Sequence, residues 1–127
     1  MGLIVSGSSG NIPTGSGSER LRRAVLQGND GTTNNAWHTL LAGTAGHIYT
    51  ILSVVCAEQQ NGSGCTIEMQ VDNGTNDTRI LSAKSIGNFG TFVWNDKFVL
   101  EEDDILEVRN TSTDCDWYVS YIDQDWT

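Results

Sequence analysis

The run Phe98-Val-Leu-Glu-Glu-Asp-Asp-Ile-Leu-Glu-Val-Arg-Asn-Thr-Ser-Thr-Asp-Cys-Asp-Trp-Tyr-Val-Ser-Tyr-Ile-Asp123 constrains the fold more than any other stretch of this chain. It divides into three short apolar segments rich in β-branched and aromatic residues, parted by two acidic or polar turns. Segments of that length and composition read as strands. The cleanest strand signal lies upstream, where Ile67, Met69 and Val71 alternate with Thr66, Glu68 and Gln70. That period of two marks a strand with one buried face. Asp72-Asn-Gly-Thr-Asn-Asp77 then turns the chain, because Asn-Gly tolerates the positive φ a tight hairpin needs.

The same reading predicts strands over Trp37–Leu41, Gly46–Ala57, Thr78–Ala83, Phe89–Trp94, Lys97–Leu100, Asp104–Arg109 and Asp116–Ile122. In Gly46–Ala57 the residues Ile48, Leu52, Val54 and Cys56 are expected mostly on one face. Short strands at this spacing give an all-β, antiparallel two-sheet β-sandwich, jelly-roll-like in its connections. A chain of 127 residues makes one such domain.

The N-terminal part differs. Ser6-Gly-Ser-Ser-Gly10 and Thr14-Gly-Ser-Gly-Ser18 are Gly/Ser-rich spacers, and Leu3-Ile4-Val5 is an apolar tip with no local partner. Residues 1–30 are therefore assigned to an extended arm and 31–127 to the sandwich. Within the arm, 18–27 fits either a short helix capped by Ser18 or an extended strand, and the all-β remainder favours the strand. Charge follows the same division. Residues 1–30 carry Arg20, Arg22 and Arg23 against Glu19 and Asp30, a net +1, and the rest carries four bases against fourteen acids, a net −10. An acidic body repels phosphate, so nucleic acid is an unsuitable partner. No run approaches the ~20 apolar residues of a membrane helix, so no membrane partner is expected. The opening Met1-Gly-Leu-Ile-Val is too short for a secretion signal and lacks its basic start, so assembly in a reducing cytoplasm is expected.

The chemistry-bearing residues are few. The three cysteines, Cys56, Cys65 and Cys115, form no C-x-x-C pair, and their odd number reads as reduced, half-buried thiols. A Cys56–Cys65 bridge across the 57–64 loop is the alternative. His38 and His47 stand near no nucleophile signature, so no catalytic residue is assigned and an enzyme is not expected. Glu101-Glu-Asp-Asp104 has the oxygens Ca²⁺ uses, yet it lies between Phe98-Val-Leu100 and Ile105-Leu106 and reads as a turn. Asp72–Asp77 lacks the order of a calcium loop. No cofactor or metal site follows. The Asn-x-Ser/Thr sequences at Asn61, Asn73, Asn76 and Asn110 read as turn composition. Four tryptophans suggest a carbohydrate-binding sandwich with a glycan on its surface, but Trp37, Trp94 and Trp117 fall inside predicted strands, where core or interface roles are commoner. Trp126, next to the last residue, has little local core to join and is expected at a subunit contact.

The segment Phe98-Val-Leu-Glu-Glu-Asp-Asp-Ile-Leu-Glu-Val with Trp117-Tyr-Val-Ser-Tyr-Ile resembles the C-terminal hairpin of small β-sandwich virion proteins of tailed bacteriophages. Ala42-Gly-Thr-Ala-Gly-His-Ile-Tyr-Thr-Ile-Leu-Ser-Val is similar to an upstream strand of that group. Asp103 stands where the pattern has Gly, which puts the turn type in question. The resemblance spans roughly residues 40–123 and implies a non-enzymatic virion structural protein. The flexible arm and acidic body select a capsid decoration or cement protein on the capsid surface, stabilising the head. The resemblance implies a homotrimer, and the charge split and Gly/Ser spacing point to residues 1–26 binding the major capsid protein, with Leu3, Ile4, Val5, Arg20, Arg22 and Arg23 as the capsid-binding residues. A neck, tail or fibre-attachment protein is the nearest alternative.

Overall fold

The computed structural model describes residues 17–28, 35–59, 64–111 and 115–127; Leu3, Ile4, Val5 and Asn61 lie outside them. Nine strands follow in chain order: β1 (Ser18–Leu26), β2 (His38–Ala42), β3 (His47–Glu58), β4 (Cys65–Asp72), β5 (Asp77–Ile86), β6 (Thr91–Trp94), β7 (Phe98–Leu100), β8 (Ile105–Asn110) and β9 (Cys115–Asp125). All pairings are antiparallel. One sheet runs β1-β9-β3-β6, with β7 also on β3, and the other runs β2-β8-β4-β5. β6 and β7 pair with successive parts of β3, at Val54–Ala57 and Tyr49–Ile51, so they act as one interrupted edge strand. With that strand counted once, the chain winds between the two sheets in the manner of a jelly roll.

The core lies between the sheets. Ile51, Val54, Cys56, Trp117 and Val119 from the first meet Ile67, Met69, Leu106 and Val108 from the second, all at most 1% exposed. Trp117 fills the largest share, and its indole N–H donates to the Asn110 side-chain oxygen at 3.2 Å. Asn110 is thus a buried partner of the core and not part of a turn, because the end of β8 places it inward opposite Ile67.

One sequence expectation, the phase of β3, changes here. β3 carries a bulge between Ile51 and Ser53. A bulge adds one residue to one strand and reverses which residues face inward beyond it. Tyr49, Ile51, Val54 and Cys56 therefore face the core, while Ile48 is paired with the outward Gln124 and Leu52 sits at the bulge. β1 is the extended strand favoured for 18–27, and it pairs along its whole length with β9, from Ser18↔Asp125 to Leu26↔Trp117. Leu26 and Ala24 pack on the core from that edge.

The turns are built from their own side chains. Asp72 accepts a hydrogen bond from the Gly74 N–H at 2.8 Å, and Asn73 accepts from Thr75 and Asn76 at 2.9 and 2.8 Å. Gly74 takes φ +91°, which only glycine adopts cheaply. At 101–104, Asp104 accepts from the Glu101 N–H at 2.9 Å, and its own carbonyl accepts from Gly43 at 2.7 Å. A side chain at Gly43 would run into the Glu101 carbonyl. Asp103 is not among the residues with positive φ, so this turn does without the glycine of the related pattern.

Candidate functional site

Alternation along β1 separates the three arginines that the sequence groups together. Arg22 is opposite the inward Tyr121 and Arg20 opposite the inward Asp123, whereas Arg23 is opposite Ser120 on the outer face. Arg20 and Arg22 line an open polar depression at one end of the sandwich with Ser18, His47, Asp123 and Asp125. Asp123 is its anchor, 3% exposed. It accepts from Arg22 Nη1 at 3.2 Å and sits 2.7 Å from His47 Nδ1. The other imidazole nitrogen faces Asp125 at 3.5 Å. An imidazole held between two carboxylates is a structural cross-link between β3 and β9. Asp125 is also bonded by the hydroxyl and N–H of Thr127, at 2.5 and 2.9 Å, and these bonds hold its carboxyl below the usual range. Tyr121, opposite Arg22 in the register, is pushed above its usual pKa by burial.

Sequence reasoning missed His47, Asp123 and Asp125 as partners of the arginines. The usable signal is the i, i+2 spacing of Arg20/Arg22 and of Asp123/Asp125, which puts each pair on one face of a strand. The residues of the Arg22–Asp123 pair are 101 positions apart, so register alone brings them together.

The two outer faces of the sandwich differ sharply. On the four-stranded sheet, Glu68 accepts from Arg79 Nη1 at 2.7 Å, from Arg109 Nε at 2.8 Å and from Arg109 Nη2. Trp37 stacks beneath both guanidinium groups, at 5.0 and 4.8 Å. Gln70 donates to Glu107 at 2.9 Å on the same face. Beside them Asp72, Asp77 and Glu107 bring one carboxylate oxygen each within 4.8 Å of one another. On the five-stranded sheet, the outer face carries two cross-strand apolar rows. The first is Val25, Tyr118, Val55 and Val93. The second is Leu21, Ile122, Thr50 and Val99. Between them run Arg23, Ser120 and Ser53, with Arg23 above the Tyr118 ring at 5.9 Å.

The remaining sequence candidates fall elsewhere. Trp117 is sealed in the core, and Trp37 is half-buried with the guanidinium groups of Arg79 and Arg109 over its ring. Trp94 donates its indole N–H to the Asp96 carbonyl at 2.8 Å. Trp126 does find a local neighbour: its ring covers Gly17, where a Cβ would lie 2.5 Å from it, and its backbone N–H bonds Gly46 at 2.8 Å. The cysteines are more deeply buried than expected and form no disulfide. The Cys65 sulfur lies 3.3 Å from that of Cys115, which faces it across the core. A hydrogen bond with Cys56 and burial push the Cys115 thiol well above its usual pKa, which makes it a poor nucleophile.

No family model and no curated protein sequence matches the chain. Among solved structures it is similar to a chain of the acidic stable capsid structure of Helicobacter pylori bacteriophage KHP30. The two are 12% identical with a TM-score of 0.55, over 84% of this chain and 91% of that one. It is also similar to a chain of the disulfide-linked pili that form Bacillus endospore appendages, at 12% identity and a TM-score of 0.51, over 88% of this chain and 91% of that one. At such identities the likeness is one of fold.

Proposed function

We propose that this chain is a non-enzymatic structural protein of a phage particle, acting as a decoration or cement protein that holds the major capsid protein at the head surface. The observation that carries this reading is the shared sandwich with a phage capsid chain over most of both molecules. The position of β1 adds to it. β1 enters the sheet at Ser18 along its edge, opposite Asp125 at the end of β9, so the chain that precedes it is attached at that end of the sandwich. Leu3, Ile4 and Val5 supply the apolar tip that docks on the shell. Arg22 is bound to Asp123 within the chain and Arg23 lies over the Tyr118 ring on the outer face of the sheet, so carboxylates of the shell are met by Arg20.

The test is deletion of residues 1–16, which keeps β1 and hence the sandwich. The shortened chain, added to particles of the same phage that lack this protein, should fail to co-sediment while the full chain binds. Equal binding by both refutes the role of the arm. Band stoichiometry on purified particles separates a decoration protein, in hundreds of copies, from a neck, tail or fibre-attachment protein, in a handful.

A further inference from the structure

We infer that the outer face of the five-stranded sheet is the interface of a two-fold homodimer, with the face of one copy packed on the same face of a second. Among the described residues six large hydrophobic side chains are exposed, and five of them, Leu21, Val25, Val93, Val99 and Tyr118, lie on this one face. The sixth, Phe89, sits apart in the β5–β6 turn. Monomers rarely expose so much apolar surface in one patch, and such patches mark contacts.

Three features select a second copy as the occupant. The first is self-complementarity. A head-to-tail contact needs a second apolar patch elsewhere on the molecule, and the described surface offers none beyond Phe89. Only an isologous contact sets apolar rows on apolar rows. The second is charge. The chain has a net charge of −9, so two copies repel through most of their surfaces. Among the described strand positions of this face the charged residues are Glu19, Arg23 and Asp116, and each has a partner within its own copy: Gln124, the Tyr118 ring, and Gly28 with Gln59. The third is area. Four strand columns at ~4.8 Å, along the 11 residues of β9 at ~3.4 Å each, give ~700 Å² per copy and ~1,400 Å² in all. That exceeds the ~1,200 Å² at which stable specific interfaces begin. Two sheets stacked ~10 Å apart then form a second core, with the axis between the two apolar rows, close to Ser53 and Ser120. The symmetry differs from the threefold that the sequence resemblance implies, and it stands independently of what the arm binds.

Sedimentation equilibrium of the full chain at about 50 μM, where standard-size interfaces are populated, should give twice the 13.8 kDa of one chain. The double variant Val93→Glu, Val99→Glu should be a 13.8 kDa monomer at the same loading, with unchanged circular dichroism, because both side chains are half exposed within one copy. Four unpaired carboxylates in a dry interface weaken the dimer by about a hundredfold or more. Ser120→Cys, set among native thiols that are all buried, should form a covalent dimer under mild oxidation, while Thr39→Cys on the other sheet should not. A wild-type monomer, a trimer, or a dimer that survives the double variant overturns the inference. A monomer would also be the outcome if residues 1–16 or a different protein cover the face instead.

Discussion

The two outer faces of this sandwich are made by the same alternation of strand residues, yet they solve different problems. On the four-stranded sheet the outward positions hold Glu68, Arg79, Arg109 and Glu107, tied to one another and to Trp37. On the five-stranded sheet they hold Leu21, Val25, Val93, Val99 and Tyr118, which have no apolar cover within the described chain. The first face holds its arginines in a single copy, since Arg79 and Arg109 both find Glu68 across neighbouring strands. The second is complete only when something apolar covers it. Neither difference is demanded by the core, which lies on the opposite side of both sheets. What separates them is the environment each face was fitted to: water for one, another surface for the other.

The sharpest way to break this comparison is Glu68→Ala. It leaves Arg79 and Arg109 without their shared carboxylate, and the Glu68 side chain is only 11% exposed. Because both arginines keep contact with solvent, the expected loss is about 2–3 kcal/mol, below that of a fully buried pair. Urea unfolding measures it, and a loss under about 0.5 kcal/mol would show that the network is incidental, as most surface ion pairs are. Trp37→Ala comes next, at about 1 kcal/mol, since it removes two cation–π contacts. The double variant should lose less than the sum of the two, as expected of groups in one network. Val93→Thr sits at the other extreme. At concentrations low enough to keep copies apart, it should change stability by less than about 0.5 kcal/mol, because nothing in its own copy depends on that methyl surface.

The smallest effect concerns pH and the end of β9. The Thr127 bonds lower the Asp125 carboxyl below its ordinary value in the folded chain. Its stabilising contribution is therefore present above the unfolded carboxylate pKa of about 3.9 and is lost as pH falls through the lower folded value. Thr127→Ala removes the hydroxyl bond and should move the Asp125 titration, followed by NMR, back toward the ordinary value. No change on this substitution would place the cause elsewhere in the depression.

Much of the architecture was legible in the sequence. The period-two run at Cys65–Val71 and the Asn73-Gly74 turn delimit β4 and its hairpin to within a residue or two. The acids at 101–104 are a turn because apolar strands bound them on both sides. β1 was legible as the extended one of two alternatives over 18–27, but its place beside β9 was not, because that partner lies at the far end of the chain. The Leu52 bulge was invisible as well, since one inserted residue leaves the composition unchanged while it shifts the phase. The polar depression could not be foreseen at all from a list of residues. Arg22, His47 and Asp123 come from three distant strands.

Sequence by itself determined the strands and turns, the acidic character of the body and the absence of any recognisable catalytic signature. Those properties are local, or simple sums over residues, so spacing and composition suffice to specify them. Tertiary structure alone decided which arginine faces inward, which cysteine meets Cys65, and that the exposed apolar residues gather on one face. Each of these depends on the register between strands far apart in the chain, and register is set by the fit of the whole core.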